Sequence, residues 1–223
     1  MIRLIAFDVA GTTVSDGGLV LRAFERAFSE VVPNRWAAES EQFRQYAIAT
    51  MGQSKIEVFS SMLGDADVAA EANVAFESAY LSLVRAEGIS EIQGASDVFV
   101  ELKSRGLKIA LTTGFSRATL DAILESLEWT EIIDASAVPS EAGAGRPNPA
   151  MLDFVSRKLS INPDEVIVLG DTQSDMQAAV RFGAAEVIGV LTGTHSTSEL
   201  IEAGANTVLE SVRKLPNHLF NQR

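Results

Sequence analysis

The chain has no cysteine, which excludes disulfides, thiolate nucleophiles and thiolate-bound zinc. It is also short of positive charge. Eighteen Lys and Arg stand against thirty Asp and Glu, a formal net charge of −12. No broad basic surface is left for a nucleic-acid backbone or an anionic membrane. Long apolar runs are missing too, and nothing approaches the roughly 20 residues of a membrane span. The apolar start, Ile2 to Phe7, is brief and broken by Arg3, so it does not read as a signal peptide. A cytoplasmic protein is expected. Histidine is scarce: His195 and His218 fall in loop and tail sequence, and both read as structural.

What is present suffices for an ordinary core. The 223 residues are 47% hydrophobic and 22% charged, enough for one large α/β domain or a core with a smaller inserted domain. Short apolar runs at Ile2–Phe7, Leu107–Leu111, Glu131–Ala135, Val166–Leu169 and Glu186–Leu191 read as buried strands. Helical patterns lie between them, at Ala95, Val98, Val100 and Leu102, and again at Leu120, Ile123, Leu124 and Leu127. Alternating strands and helices predict a doubly wound parallel sheet covered on both faces. From about Gly18 to Glu87 no strand pattern appears, and apolar residues fall at helical spacing. That block predicts an inserted helical cap domain at 17–87, with linkers near Ser15–Gly18 and Gly88–Gly94, and a core at 1–16 and 88–223. Ser196 to Glu199 reads as the capping box of a late helix.

In such a sheet ligands bind beyond the carboxyl ends of the strands. Four polar residues are expected there: Asp8, Thr113, Arg146 and Asp171. Asp8 opens the loop Asp8-Val9-Ala10-Gly11-Thr12-Thr13, where a carboxylate can face a ligand while loop N–H groups cradle phosphoryl oxygens. Capping of the turn is the alternative. Asp171 and Asp175 follow the strand Val166–Leu169, and Asp171 could instead cap the next helix. Brought together with Asp8, they would repel unless a cation joins them, and such a set suits Mg²⁺. Thr113-Gly114 offers a hydroxyl and an open N–H to an anion. Arg146, in Gly145-Arg146-Pro147-Asn148-Pro149, can offset the acids and hold a phosphoryl group with two parallel hydrogen bonds.

Taken in order, Asp8 with Gly11-Thr12, then Thr113, Arg146, and Asp171 with Asp175 resemble the four motifs of the haloacid dehalogenase superfamily. The resemblance spans nearly the whole chain. It implies a Rossmann-like core, an aspartyl-phosphate formed on Asp8, and Mg²⁺ held by Asp8, the Ala10 carbonyl, Asp171 and Asp175. It places Gly11, Thr12, Thr113, Gly114 and Arg146 around a small anionic phosphonate or phosphate, and it is compatible with a homodimer through the cap.

Phosphatases of the superfamily carry an acid two residues after the nucleophile, and here that position is Ala10. The loops instead resemble those of the phosphonoacetaldehyde hydrolase (phosphonatase) family, in which a Lys three residues after Met-Gly forms a Schiff base. Met51-Gly52-Gln53-Ser54-Lys55 has that spacing. Cleaving a carbon–phosphorus bond requires the carbon to leave with its electrons, and a protonated imine on the next carbon accepts them. Lys55 is predicted in the first turn of a helix running through Val58 and Met62, where the positive helix end favours a neutral amine. Two positions depart from the phosphonatase pattern: Val58 replaces a His and Phe115 a Tyr. A phosphatase of a small metabolite and a non-catalytic ligand-binding protein are the alternative readings.

Overall fold

The computed structural model describes residues 1–15 and 17–221. Six parallel strands form the central sheet: β1 (Leu4–Asp8), β4 (Lys108–Thr112), β5 (Ala135–Ala137), β6 (Val166–Gly170), β7 (Glu186–Val190) and β8 (Thr207–Leu209), in the order β5-β4-β1-β6-β7-β8. β1 lies in the middle, with Asp8 beside Thr112 of β4 and Phe7 beside Leu169 of β6. Successive residues of a strand point to opposite faces. Ile5, Phe7, Ile109, Leu111, Ile167 and Leu169 therefore join the core on one side, with α5 (Ala95–Ser104) and α6 (Arg117–Ser126). Leu4, Ala6, Ala110, Val166 and Val168 join that on the other, with α8 (Ala150–Leu159), α9 (Gln173–Phe182) and α10 (Thr197–Glu202). Burial on both faces explains why these strands read as continuous apolar runs.

Two short strands leave the top of the sheet. β2 (Val14–Ser15) pairs antiparallel with β3 (Ser90–Glu91), so the expected linkers form a ribbon; Asp16, within the first of them, lies outside the described residues. Between the two strands run α1 (Leu19–Val31), α2 (Pro33–Ala49), α3 (Lys55–Leu63) and α4 (Ala66–Glu87). No strand forms there among the described residues. Their shared interior is aromatic: Phe24 lies 5.0 Å from Phe59 and 4.7 Å from Phe76, and Phe28 stacks on Phe43 at 4.5 Å. Such ring pairs add to the burial of large apolar areas.

The structure corrects several expectations. Glu131–Ala135 is not a strand. Ile132 and Ile133 both donate their N–H to the Trp129 carbonyl, a turn that delays β5 to Ala135–Ala137. Val100 faces solvent at 60% exposure, although it falls among the apolar residues of α5. The sheet gains β8 at its edge, and α11 (Leu215–Phe220) carries His218. No helix among the described residues is long and apolar enough to cross a membrane.

Candidate active site

The turn after β1 is built around one carbonyl. Thr12, Thr13 and Val14 all donate N–H groups to Val9 O, at 3.3, 2.9 and 2.8 Å, and Gly11 donates to Val14 O at 2.9 Å. The turn consumes the N–H groups of Gly11, Thr12 and Thr13, which corrects the expectation that these cradle a phosphoryl group. Thr12 is likewise turned inward, donating its hydroxyl to Asp171 Oδ1 at 3.0 Å. Gly11 has φ +90°, and a Cβ there would sit 2.5 Å from Asp171 Oδ2, so no side chain fits between the two loops.

Asp171 follows β6 but does not cap α9. Thr172 does so, its hydroxyl accepting from the Asp175 N–H while Asp175 Oδ2 accepts from the Thr172 N–H at 3.1 Å. This reciprocal cap frees the Asp171 carboxylate to face Asp8. Ligand oxygens of Asp8, Asp171 and Asp175 lie within 4.8 Å of one another, all buried. Burial first, and then the charge of Asp8, push the Asp171 carboxyl well above the usual carboxylate range.

Arg146 is the cation among these acids. It follows α7 (Pro139–Ala142) rather than a strand end directly. Its Nη1 lies 2.7 Å from Asp8 Oδ1 and touches Asp175. One guanidinium against three carboxylates leaves an excess of negative charge, and the Arg146 Nε has no hydrogen-bond partner among the described residues. An all-oxygen donor set with surplus negative charge fits a hard divalent cation such as Mg²⁺. Asp8, Asp171 and Asp175 are the residues that could hold it.

Thr113 lies just beyond β4, its Oγ1 accepting from the Phe115 N–H at 3.3 Å. Gly114 serves close approach: a Cβ would meet Gln53 O at 2.5 Å. Two more glycines do the same for the segment before α3. A Cβ on Gly52 (φ +83°) would lie 2.4 Å from Thr172 Oγ1, and one on Gly145 would lie 2.6 Å from Ser54 Cβ. Residues 52–54 thus rest on three core loops at once.

Lys55 is the first residue of α3, in the first helical turn as predicted, and it is buried. Its Nζ lies 5.6, 5.7 and 6.0 Å from the ring centres of Phe24, Phe115 and Phe76, near enough for cation–π attraction. Val58 packs in the aromatic interior, and the Phe115 ring lies tilted against Tyr80, 4.6 Å between centres. Asp8, Ala10, Gly11, Lys55, Thr113, Gly114, Arg146 and Asp171 line one cavity of about 400 Å³. Thr12 and Asp175 stand behind its wall.

One loop of the site escaped the sequence reading. Thr192, Gly193 and Thr194, after β7, also line the cavity. Thr192 donates its hydroxyl to Gly11 O at 2.6 Å, and a Cβ on Gly193 would lie 1.7 Å from Asp171 Oδ2. The available signal was a second Thr-Gly following an apolar run, as at Thr113-Gly114. Neither histidine lines the cavity: His195 is half-buried in the loop after β7, and His218 meets Glu186 at 2.7 Å.

Comparison with known proteins gives this arrangement relatives. The phosphonoacetaldehyde hydrolase of Bacteroides fragilis is 28% identical over 257 residues, covering 96% of this chain and 94% of that one. Protein CbbY of Cereibacter sphaeroides is 26% identical over 221 residues, again covering 96% and 94%. The crystal structure of a hydrolase from Pseudomonas syringae shares the fold, with a TM-score of 0.84 at 24% identity over 100% of this chain and 99% of that one. The haloacid dehalogenase-like hydrolase family matches residues 2–183, from β1 through α9. The chain belongs to that family.

Proposed function

We propose that the chain is a phosphonatase-like hydrolase, cleaving the carbon–phosphorus bond of a small phosphonate aldehyde. The observation that carries the reading is Lys55: a buried amine on the wall of the cavity that holds Asp8, while Ala10 stands where phosphatases need an acid. In this reading α1–α4 act as a cap (17–87) over the core (1–16 and 88–223).

The Lys55 amine condenses with the aldehyde, releasing water and leaving a protonated imine. Asp8 attacks phosphorus, the carbon–phosphorus electrons pass to the imine, and an enamine and an aspartyl phosphate result. Protonation of the enamine carbon and hydrolysis of the imine release acetaldehyde and Lys55, and a second water frees phosphate from Asp8. Arg146 holds Asp8 in place and presents its charge to the phosphoryl group, beside Gly11, Thr113 and Gly114. Mg²⁺ bound by the acid cluster would supply positive charge against the phosphoryl oxygens.

Borohydride added with phosphonoacetaldehyde should reduce the imine, inactivate the protein and leave a mass adduct on Lys55 alone. Lys55→Arg should resist trapping and lose carbon–phosphorus cleavage while still turning over acetyl phosphate. A wild type that is neither trapped nor inactivated overturns the Schiff base. The second reading is a Mg²⁺-dependent phosphatase of a small metabolite. Val58 and Phe115 favour it, because they leave apolar groups where the phosphonatase pattern has a His and a Tyr.

A further inference from the structure

We propose that the natural substrate is larger than phosphonoacetaldehyde: a β-carbonyl phosphonate whose carbonyl carbon carries an apolar group of several carbons. The inference rests on the carbon–phosphorus reading above and deepens it. The cavity measures about 400 Å³. The two-carbon aldehyde has seven heavy atoms and at protein packing density fills about 100–150 Å³. An ion and two waters at roughly 30 Å³ each still leave on the order of 150 Å³ over. A site that large around a two-carbon substrate would stay full of water.

The walls say what belongs in the remaining space. The phosphoryl end is fixed by the core acids and Arg146, and the carbonyl end by Lys55. Apart from them the large apolar side chains of the lining are Val20 and Leu21 on α1, Ile48 on α2, Met51 before α3, Ile92 after β3, and Phe115. Five of these six lie in the helical segment or on the ribbon leading back from it. A chain carried on the carbonyl carbon therefore has hydrocarbon in the cavity to pack against.

Polar alternatives fit poorly. Apart from the residues already given roles, the hydrogen-bonding side chains among the described lining residues are hydroxyls only. Thr172 is engaged with Asp175, Thr192 with Gly11 O, and Thr194 with His195, which leaves Ser15. No amide, imidazole or further carboxylate among the described residues reaches the lining. A polyhydroxylated sugar would leave hydroxyl groups buried against aliphatic side chains without partners, an unfavourable exchange for their hydrogen bonds to water. An alkyl group gains on the same transfer.

The test is a chain-length series on the wild-type protein: 2-oxopropyl-, 2-oxobutyl-, 2-oxopentyl- and 2-oxohexylphosphonate, with phosphonoacetaldehyde and acetyl phosphate alongside. Ketone chemistry is constant within the series, so kcat/KM reports the tail. It should rise about three- to fourfold per methylene, or roughly thirty- to sixtyfold from propyl to hexyl. Leu21→Asn should cut the hexyl-to-propyl ratio at least tenfold. A flat or falling series, with phosphonoacetaldehyde still cleaved, overturns the apolar-tail inference and leaves the carbon–phosphorus reading standing. If no phosphonate is cleaved while acetyl phosphate is hydrolysed, the carbon–phosphorus reading fails and this one fails with it.

Discussion

Asp171 shows how much the site costs the fold. Its carboxyl is buried and faces Asp8, and burial and then that charge hold its pKa well above the ordinary range. A folded state that binds this proton more tightly than the unfolded chain loses stability as pH rises from the unfolded Asp pKa, about 3.9, toward the folded one. Asp171→Asn removes that loss and leaves an oxygen to accept from Thr12. In excess chelator the variant should therefore melt higher than wild type at pH 7, with the difference vanishing toward pH 4. Thermal melts across that range check it, and a variant that melts lower at pH 7 refutes the electrostatic argument. Asp8→Asn separates chemistry from stability at the same site. It changes little volume but removes the proposed nucleophile, so acetyl-phosphate turnover should fall at least a hundredfold with the far-ultraviolet circular dichroism unchanged. Retention of more than about one per cent of the rate argues against a covalent mechanism, since that barrier change amounts to only about 2.7 kcal/mol.

Among the elements, the contact between the segment before α3 and the core decides whether Lys55 and Asp8 share a cavity. Gly52 and Gly64 allow its geometry to be tested apart from backbone strain. Both have positive φ, +83° and +72°, but a Cβ at Gly52 would strike Thr172 whereas one at Gly64 meets nothing within 4 Å. Alanine at either position costs about 1–2 kcal/mol of backbone strain. Gly52→Ala alone should then lower kcat/KM, by at least tenfold, while Gly64→Ala shows a similar drop in melting temperature and near-normal activity. Equal activity in the two variants would mean that the close approach is not needed.

The same elements show what could be read without coordinates. β1, β4, β6 and β7 were legible because burial on both faces makes each an unbroken apolar run, and Asp8, Thr113 and Asp171 were legible because they stand where those runs stop. β5, an Ala-Ser-Ala segment, lacks that signal, and the richer Ile132-Ile133 pair beside it is spent on a turn. β8 is a half-buried edge strand and has no apolar run to announce it. Thr12 was found but assigned to the wrong partner, because whether a turn keeps its N–H groups for itself depends on a closure around Val9 O that no spacing reveals. Thr172 was passed over for the opposite reason. Beside two acids it looks like filler, yet its cap is what turns Asp171 toward Asp8.

At the scale of the molecule, the proposed function requires a chain of net charge −12 to draw an anion into a pocket that already holds buried acids. Arg146 and Lys55 are the cations among the described lining residues. Arg146 is occupied by Asp8 and Asp175, and Lys55 lies across the cavity's aromatic side. A divalent ion bound by the acid cluster would supply the remaining positive charge, and two measurements of different kinds test that. Chelator should suppress acetyl-phosphate turnover at least a hundredfold, and Mg²⁺ should restore it. Mg²⁺ at about 100 times its dissociation constant should also stabilise the folded state by about 2.7 kcal/mol, a rise in melting temperature of roughly 5–10 °C for a chain of this size. Asp171→Asn should lose most of that rise, although it is itself the more stable protein without metal. The two effects of one substitution have opposite signs, so nonspecific ion binding to an acidic surface cannot imitate them. Full activity in excess chelator, together with no Mg²⁺-dependent melting shift in the wild type, would leave the acid cluster without a metal and the phosphoryl group without its main counter-charge.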